Sequence, residues 1–311
     1  MLIPAGSSEC CAVHHGVPMF NISLAQWSLH RTLLGVESGG IDWARLEHDL
    51  GTDPNNAIRG DMDHLDFITA ARRDYDIDAV EYVNTFFFGR AQDQAYLNEM
   101  KNRADSEGIQ SLLIMCDFEG RPGDPDRTAA QQAVENHYKW IEAAQVLGCH
   151  AIRVNVGNGL ADPDNQAKWA AEDLRRLAEF SDPFGIHILV ENHGELSSNA
   201  AWLVGVIRQA DHPQVGTLPD FGNFWINESE CYDYYQGVEE LMPYAKGVSA
   251  KSYDFDEDGN ETTLDYERLI RIVTSAGYTG YIDVEYEGDR LTEPEGIRAT
   301  KALLERLRLS G

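Results

Sequence analysis

The chain has 311 residues, room for one large α/β domain or two ordinary ones, and its 43% hydrophobic content supplies a core, which excludes a disordered or fibrous protein. Fifty-two acidic residues against 25 basic ones leave a formal charge of −27, a field that repels nucleic-acid phosphate and anionic lipid and argues against both as partners. No run approaches the roughly 18 apolar residues that cross a bilayer. The first twenty residues lack a basic start followed by an apolar stretch, so no signal peptide is expected. The five cysteines (Cys10, Cys11, Cys116, Cys149, Cys231) are odd in number and form no C-x-x-C, which favours a reducing cytoplasm over a disulfide framework or structural zinc. With arginine far ahead of lysine, the acidic excess also raises the expectation of a high-salt cytoplasm, where screening weakens self-repulsion.

In chain order, a lead-in segment (1–18) carries the tandem His14-His15, to which no role is assigned. A first strand is expected at 19–25 (MFNISLA), followed over 38–64 by a Gly-, Asp- and Asn-rich loop with a short helix. Strands at 77–83, 109–116, 150–156, 186–192, 215–221, 246–252 and 280–286 follow. Amphipathic stretches with helical spacing separate them, among them 93–108, 133–148, 167–180, 200–210 and 264–277. Gly108, Gly148 and Gly277 suit helix C-caps. Eight strand–helix alternations without a linker or a shift in composition read as one domain over 1–311. At this length a single (β/α)8 barrel is the economical closure. A doubly wound open sheet is the alternative, but no strand is followed by a Gly-rich phosphate turn.

Such a barrel places its chemistry at the C-terminal ends of its strands. Those ends carry Glu81 and Asn84; Asp117 and Glu119; Arg153 and Asn155; Glu191, Asn192 and His193; Asp220 and Asn223; Ser249, Lys251, Tyr253 and Asp254; and Asp283, Glu285 and Glu287. The opposite ends show no such concentration. A ring of carboxylates repels itself unless a cation sits in the middle. Glu191, Asp220 and Glu285 come from separate strands and are the expected ligands of one ion, Mn²⁺ or Mg²⁺ ahead of Co²⁺ or Zn²⁺, since oxygen ligands favour the harder cations. Trp27 and His30 suit a sugar-pocket wall. Phe86, Phe87, Phe88 and the helical His137 suit packing.

The stretches NISLAQWSLHR (21–31), VEYVNTFF (80–87), AIRVN (151–155), VENHG (190–194), LPDFGNF (218–224), VSAKSYDF (248–255) and YIDVEYEG (281–288) together resemble the xylose-isomerase-like TIM-barrel superfamily. That superfamily includes sugar isomerases, ketose 3-epimerases, inosose-processing enzymes and an apurinic endonuclease branch. The resemblance implies metal ligands at Glu191, Asp220 and Glu285, but Ser249 stands where the family carries a histidine, two residues before Lys251. His193, water or Asp254 is left to complete the shell. Asn223 replaces a histidine that epimerase members carry after the strand-six aspartate.

The chemistry implied is divalent-metal-dependent isomerisation or epimerisation of an unphosphorylated sugar or polyol. Glu191 and Glu285 act as its acid/base pair, with Lys251 at a developing oxyanion and His193 as acid/base or wall. Trp27, His30, Glu81, Arg153, Asn155, Asn223 and Glu287 are the expected substrate contacts, Glu287 being also the register rival of Glu285 for the metal. The alternatives are a lyase or dehydratase acting on an oxidised glycoside or inosose, and a non-catalytic sugar-binding barrel. The endonuclease reading fails for want of a histidine cluster and a basic groove. The partner expected is a small carbohydrate, with pairing into a homo-oligomer as in many barrels of this family.

Overall fold

A computed structural model describes residues 19–309; Cys10, Cys11, His14, His15 and the rest of the lead-in lie outside them. Ten strands are present: β1 (Asn21–Ala25), β2 (Ala79–Val83), β3 (Gln110–Met115), β4 (Ala151–Val154), β5 (His187–Glu191), β6 (Val215–Leu218), β7 (Trp225–Asn227), β8 (Glu230–Cys231), β9 (Val248–Ser252) and β10 (Tyr281–Tyr286). The helices are α1 (His30–Leu34), α2 (Trp43–Thr52), α3 (Asp66–Tyr75), α4 (Gln94–Glu107), α5 (Arg127–Leu147), α6 (Pro163–Ser181), α7 (Ala200–Ala210), α8 (Tyr234–Leu241), α9 (Tyr266–Ser275) and α10 (Glu293–Leu307).

All eight expected strands form and pair in parallel in the order β6-β5-β4-β3-β2-β1-β10-β9. The sheet closes on itself between β6 and β9, where Thr217 bridges Ala245 and Asp220 bridges Ser249. The Ser249 amide donates to the Pro219 carbonyl at 2.9 Å, and the Phe221 amide donates to the Ser249 carbonyl at 3.1 Å. The molecule is a (β/α)8 barrel. Strands such as AVEYV and VSAKS are buried along their whole length because helices cover the outer face and side chains fill the inner one. The hairpin β7–β8, after β6, was not expected from the sequence and lies outside the barrel sheet.

Several helices start earlier than their apolar periodicity suggests. Helix α5 begins at Arg127 and α6 at Pro163, each preceded by an aspartate whose carboxylate accepts from first-turn amides. Six described helices are capped by aspartate in this way: Asp42, Asp93, Asp126, Asp162, Asp233 and Asp265. Each such cap stabilises by about 1 kcal/mol, so part of the acidic excess has a local structural cause that owes nothing to salt. Gly108 and Gly148 end their helices in the left-handed region, as the sequence suggested, and Gly277 follows α9 one residue later at φ 77°. Cys116, Cys149 and Cys231 are free thiols. No described helix is long and apolar enough to cross a membrane.

Candidate active site at the barrel mouth

Glu191 ends β5, Asp220 follows β6 by two residues, and Glu285 lies one residue from the end of β10. Each offers a carboxylate oxygen, and the three oxygens lie within 4.8 Å of one another in a buried cluster. Two of the carboxylates are fixed by neutral donors. Asp220 Oδ1 accepts from the amides of Gly222 (2.6 Å) and Asn223 (2.8 Å), and Glu191 Oε1 accepts from Asn223 Nδ2 (3.0 Å). The Asn223 side-chain amide therefore orients the Glu191 carboxylate. Asp220 Oδ2 is buried with no hydrogen-bond donor. Three hard oxygens at this spacing, one of them without a donor, fit a divalent cation.

Two buried cations flank the cluster. Arg153 on β4 places Nε 2.9 Å from Glu191 Oε2 and NH1 2.7 Å from Asp117 Oδ1. Lys251 on β9 places Nζ 3.2 Å from Glu285, 3.4 Å from Glu287 and 3.6 Å from Asp220. Burial pushes the Glu191 carboxyl up to about 7 against the pull of Arg153, and burial raises Asp220 well above the carboxylate range. Burial opposes the charge on Lys251, but Asp220, Glu285 and Glu287 outweigh it and hold the ammonium protonated. Glu287 and Asp117 stay ionised because Lys251 and Arg153 respectively overcome their burial. Both glutamates face Lys251, but Glu285 joins the triad, whereas its rival Glu287 stands outside it and accepts from Trp27 Nε1 at 2.6 Å.

Ser249 leaves no imidazole on β9. Its hydroxyl lies 2.7 Å from Glu285 Oε2 and 3.0 Å from Asp283 Oδ1, so it orients Glu285 and links the mouth to a deeper layer. In that layer Glu81 and Asp283 are within hydrogen-bonding reach of each other. Ser23 donates to Glu81 Oε1 at 2.9 Å. Neither Glu81 Oε2 nor Asp283 Oδ2 meets a donor, and burial raises Glu81 to about 7 and Asp283 well above its usual range. A proton shared between the two satisfies both.

A cavity of about 580 Å³ reaches the triad at Glu285, while Glu191 and Asp220 are buried and not among its lining residues. Of the expected site residues, Trp27, Arg153, Asn155, His193, Asn223, Lys251, Glu285 and Glu287 line it. Burial, then the Arg153 charge, lowers the His193 imidazole to about 4, so it is neutral at physiological pH. Three expectations need correction. Glu81 does not reach the cavity: it points inward two residues below the end of β2, where Val83 takes the lining position. His30 backs the Trp27 ring, with centroids 4.9 Å apart, and lines a neighbouring cleft instead. Asp254 is held by Arg290 at 2.6 Å and does not complete the triad. Phe86, Phe87 and His137 are buried packing residues, as expected.

Eight cavity residues carried no site assignment from the sequence, and four of them bear on the chemistry of the wall: Asp117, Phe118, Arg121 and Trp43. Asp117 was visible at the end of β3 and holds both Arg153 and Asn155, the latter at 2.9 Å. The other three sit on loops or on the inserted α2, where strand parity gives no signal.

The family model for the xylose isomerase-like TIM barrel matches residues 69–308. Among curated proteins, the alpha subunit of a C-glycoside deglycosidase from Arthrobacter globiformis is 45% identical over 49 residues, 16% of this chain and 14% of that protein. The match thus spans about a seventh of the relative's length. Among solved structures, apo 3-keto-D-glucoside 4-epimerase from E. coli has TM-score 0.65 at 16% identity, covering 78% of this chain and 94% of that one. A xylose isomerase-like TIM-barrel protein from Mycobacterium smegmatis in complex with magnesium has TM-score 0.64 at 17% identity, covering 93% and 97%. The barrel, the carboxylates at its mouth and the family match agree, and the chain belongs to the xylose isomerase-like TIM-barrel family.

Proposed function

We propose that this chain is a divalent-metal-dependent acid/base enzyme that removes a proton next to the carbonyl of an unphosphorylated sugar, and that its substrate is an oxidised glycoside. The observation that supports it most is the buried triad Glu191, Asp220 and Glu285, held between Arg153 and Lys251. A divalent ion bound there, with Mn²⁺ or Mg²⁺ favoured by the all-oxygen set, supplies Lewis-acid polarisation of the substrate carbonyl.

The protein's own groups do the rest. Glu191 is the proposed base for the carbon-bound proton, since the arginine beside it and a bound cation both favour its ionised form. Asn223 and Arg153 fix its two oxygens, so the base is aimed before substrate arrives. Lys251 donates to the oxygen that gains charge, and Glu285 stands on a different strand to return a proton to the other face. Return of the proton gives isomerisation or epimerisation. Departure of a substituent from the neighbouring carbon, with its bonding electron pair and a proton, leaves a carbon–carbon double bond instead. That elimination is the second reading, favoured by the sequence match to a deglycosidase subunit. A phosphorylated sugar fits poorly, because Arg153, Lys251 and Arg121 are each engaged by a carboxylate already.

The test pairs metal content with proton exchange. Elemental mass spectrometry of the purified protein and of Glu191→Gln is followed by NMR of keto sugars and 3-keto glucosides incubated with each in D₂O. Near-stoichiometric metal lost in the mutant, with enzyme-dependent deuterium uptake beside the carbonyl, supports the reading, and the products separate epimer from elimination. No metal in either protein and no uptake with any sugar would sink it in favour of a non-catalytic barrel.

A further inference from the structure

We propose that the cavity mouth holds an aglycone subsite, in which Trp27, Trp43 and Phe118 form an aromatic strip that takes a flat aromatic group attached to the sugar. The proposal rests on the sugar being held at the carboxylate triad, as proposed above. The strip starts at the catalytic cluster and runs outward. Lys251 contacts Glu287, Glu287 accepts from the Trp27 indole, and Trp27 stacks on Trp43 with ring centroids 6.0 Å apart and planes 18° apart. Trp43 in turn lies 6.5 Å from Phe118 at 31°. All three rings line the cavity that Glu285 and Lys251 line at its floor. Its volume, about 580 Å³, lies within the range of roughly 300–1,000 Å³ that drug-sized ligands fill, so a single sugar ring leaves the outer part free.

Two features point to an occupant. Trp43 is 53% exposed although it opens α2, whose Leu46 and Leu50 are buried. An indole held at a cavity mouth with half its surface wet is an unfilled aromatic contact. Phe118 adopts φ 61°, the left-handed region that bulky residues avoid, and this conformation puts its ring beside Trp43. The polar groups at this level favour a flat ring over a second sugar. Arg121 is engaged by Glu195 and by the Gly157 carbonyl, and Asp117, next to Phe118, by Arg153 and Asn155, so hydroxyls of a second sugar would compete with partners already in place.

The test compares binding of 2-naphthyl, phenyl and methyl 3-keto-β-D-glucosides, and of a 3-keto disaccharide, by calorimetry. The protein is used as purified, beside Trp43→Ala, Trp43→Phe and Phe118→Leu, with folding checked by circular dichroism. Wild type is expected to prefer the aryl glucosides over the methyl one by about ten-fold, and Trp43→Ala to cut that ratio to about two-fold, with Trp43→Phe restoring most of it and Phe118→Leu intermediate. An equal affinity for aryl and methyl compounds, a preference that survives Trp43→Ala, an equal preference for the disaccharide, or no binding by any of them overturns the subsite. Deuterium uptake into the methyl glucoside keeps the two proposals apart. Uptake without aryl preference removes the subsite alone, and aryl preference lost in Trp43→Ala without uptake removes the reaction alone.

Discussion

Two acidic clusters lie one layer apart inside the barrel, and their surroundings differ in one respect. At the mouth, Glu191, Asp220 and Glu285 share the space with Arg153 and Lys251, both buried and both charged. Below, Glu81 and Asp283 take part in no ion pair among the described residues and lean on Ser23, Ser249 and each other. Burial is near-complete in both layers and raises Glu191 and Glu81 alike to about 7, so burial does not separate them. The neighbouring cations do: the upper layer keeps Glu287 and Asp117 ionised beside Lys251 and Arg153, whereas the lower layer has only hydroxyls and a second carboxyl to share a proton with.

The sharpest way to break this comparison is Glu191→Gln, which keeps the shape and removes a charge. It should abolish metal binding and lower deuterium exchange by about 10²–10⁴-fold; an isosteric change of equal effect at Glu81 would mean that the layers do not differ in role. Next in size is Lys251→Met. It strands Asp220, Glu285 and Glu287 without their cation, and a loss of roughly 3–5 kcal/mol is expected in metal-free protein. Added divalent ion should recover most of it, which thermal melts with and without chelator would show.

The lower layer predicts a pH effect. The folded-state value of Glu81, about 7, lies above its ordinary 4.5, so its neutral form is the stabilising one. Its contribution is complete below the ordinary value and is lost as pH rises through about 7. The size is on the order of 3 kcal/mol, and Glu81→Gln should flatten that part of the stability profile in urea titrations from acid to neutral pH. Ser23→Ala, which deletes one hydroxyl donor to Glu81, is the smallest change, at about 1 kcal/mol. Chemical denaturation would measure it, and an effect above that of Lys251→Met would reverse the order of the two layers.

The fold was legible because alternation of short apolar runs and amphipathic stretches is a strong, local signal that repeats eight times along the chain. Much of the mouth was legible for a related reason: strand ends in such barrels converge, so Glu191, Asp220 and Glu285 could be grouped from their places on separate strands. Depth was not legible. Leu24 of β1 pairs with both Val80 and Val284, so Glu81 and Glu285 follow at the same register, and nothing in the sequence shows that only Glu285 lines the cavity. Trp43 and Phe118 were invisible for a different reason, since an inserted helix and a left-handed turn have no periodicity that ties them to the mouth.

The closing of the sheet has a mechanical consequence. Where β6 meets β9, the barrel is held by isolated bridges and not by a continuous ladder, and one of those bridges joins Asp220 to Ser249. Glu191 and Asp220 stand on one side of this join, and Glu285 stands beyond β9 on the other. A cation gripping all three would act as a clasp across the least-stitched edge of the cylinder. Amide exchange at Phe221 and Ser249 should therefore slow when the clasp is fastened, while amides between β3 and β4, on the far wall, keep their rates.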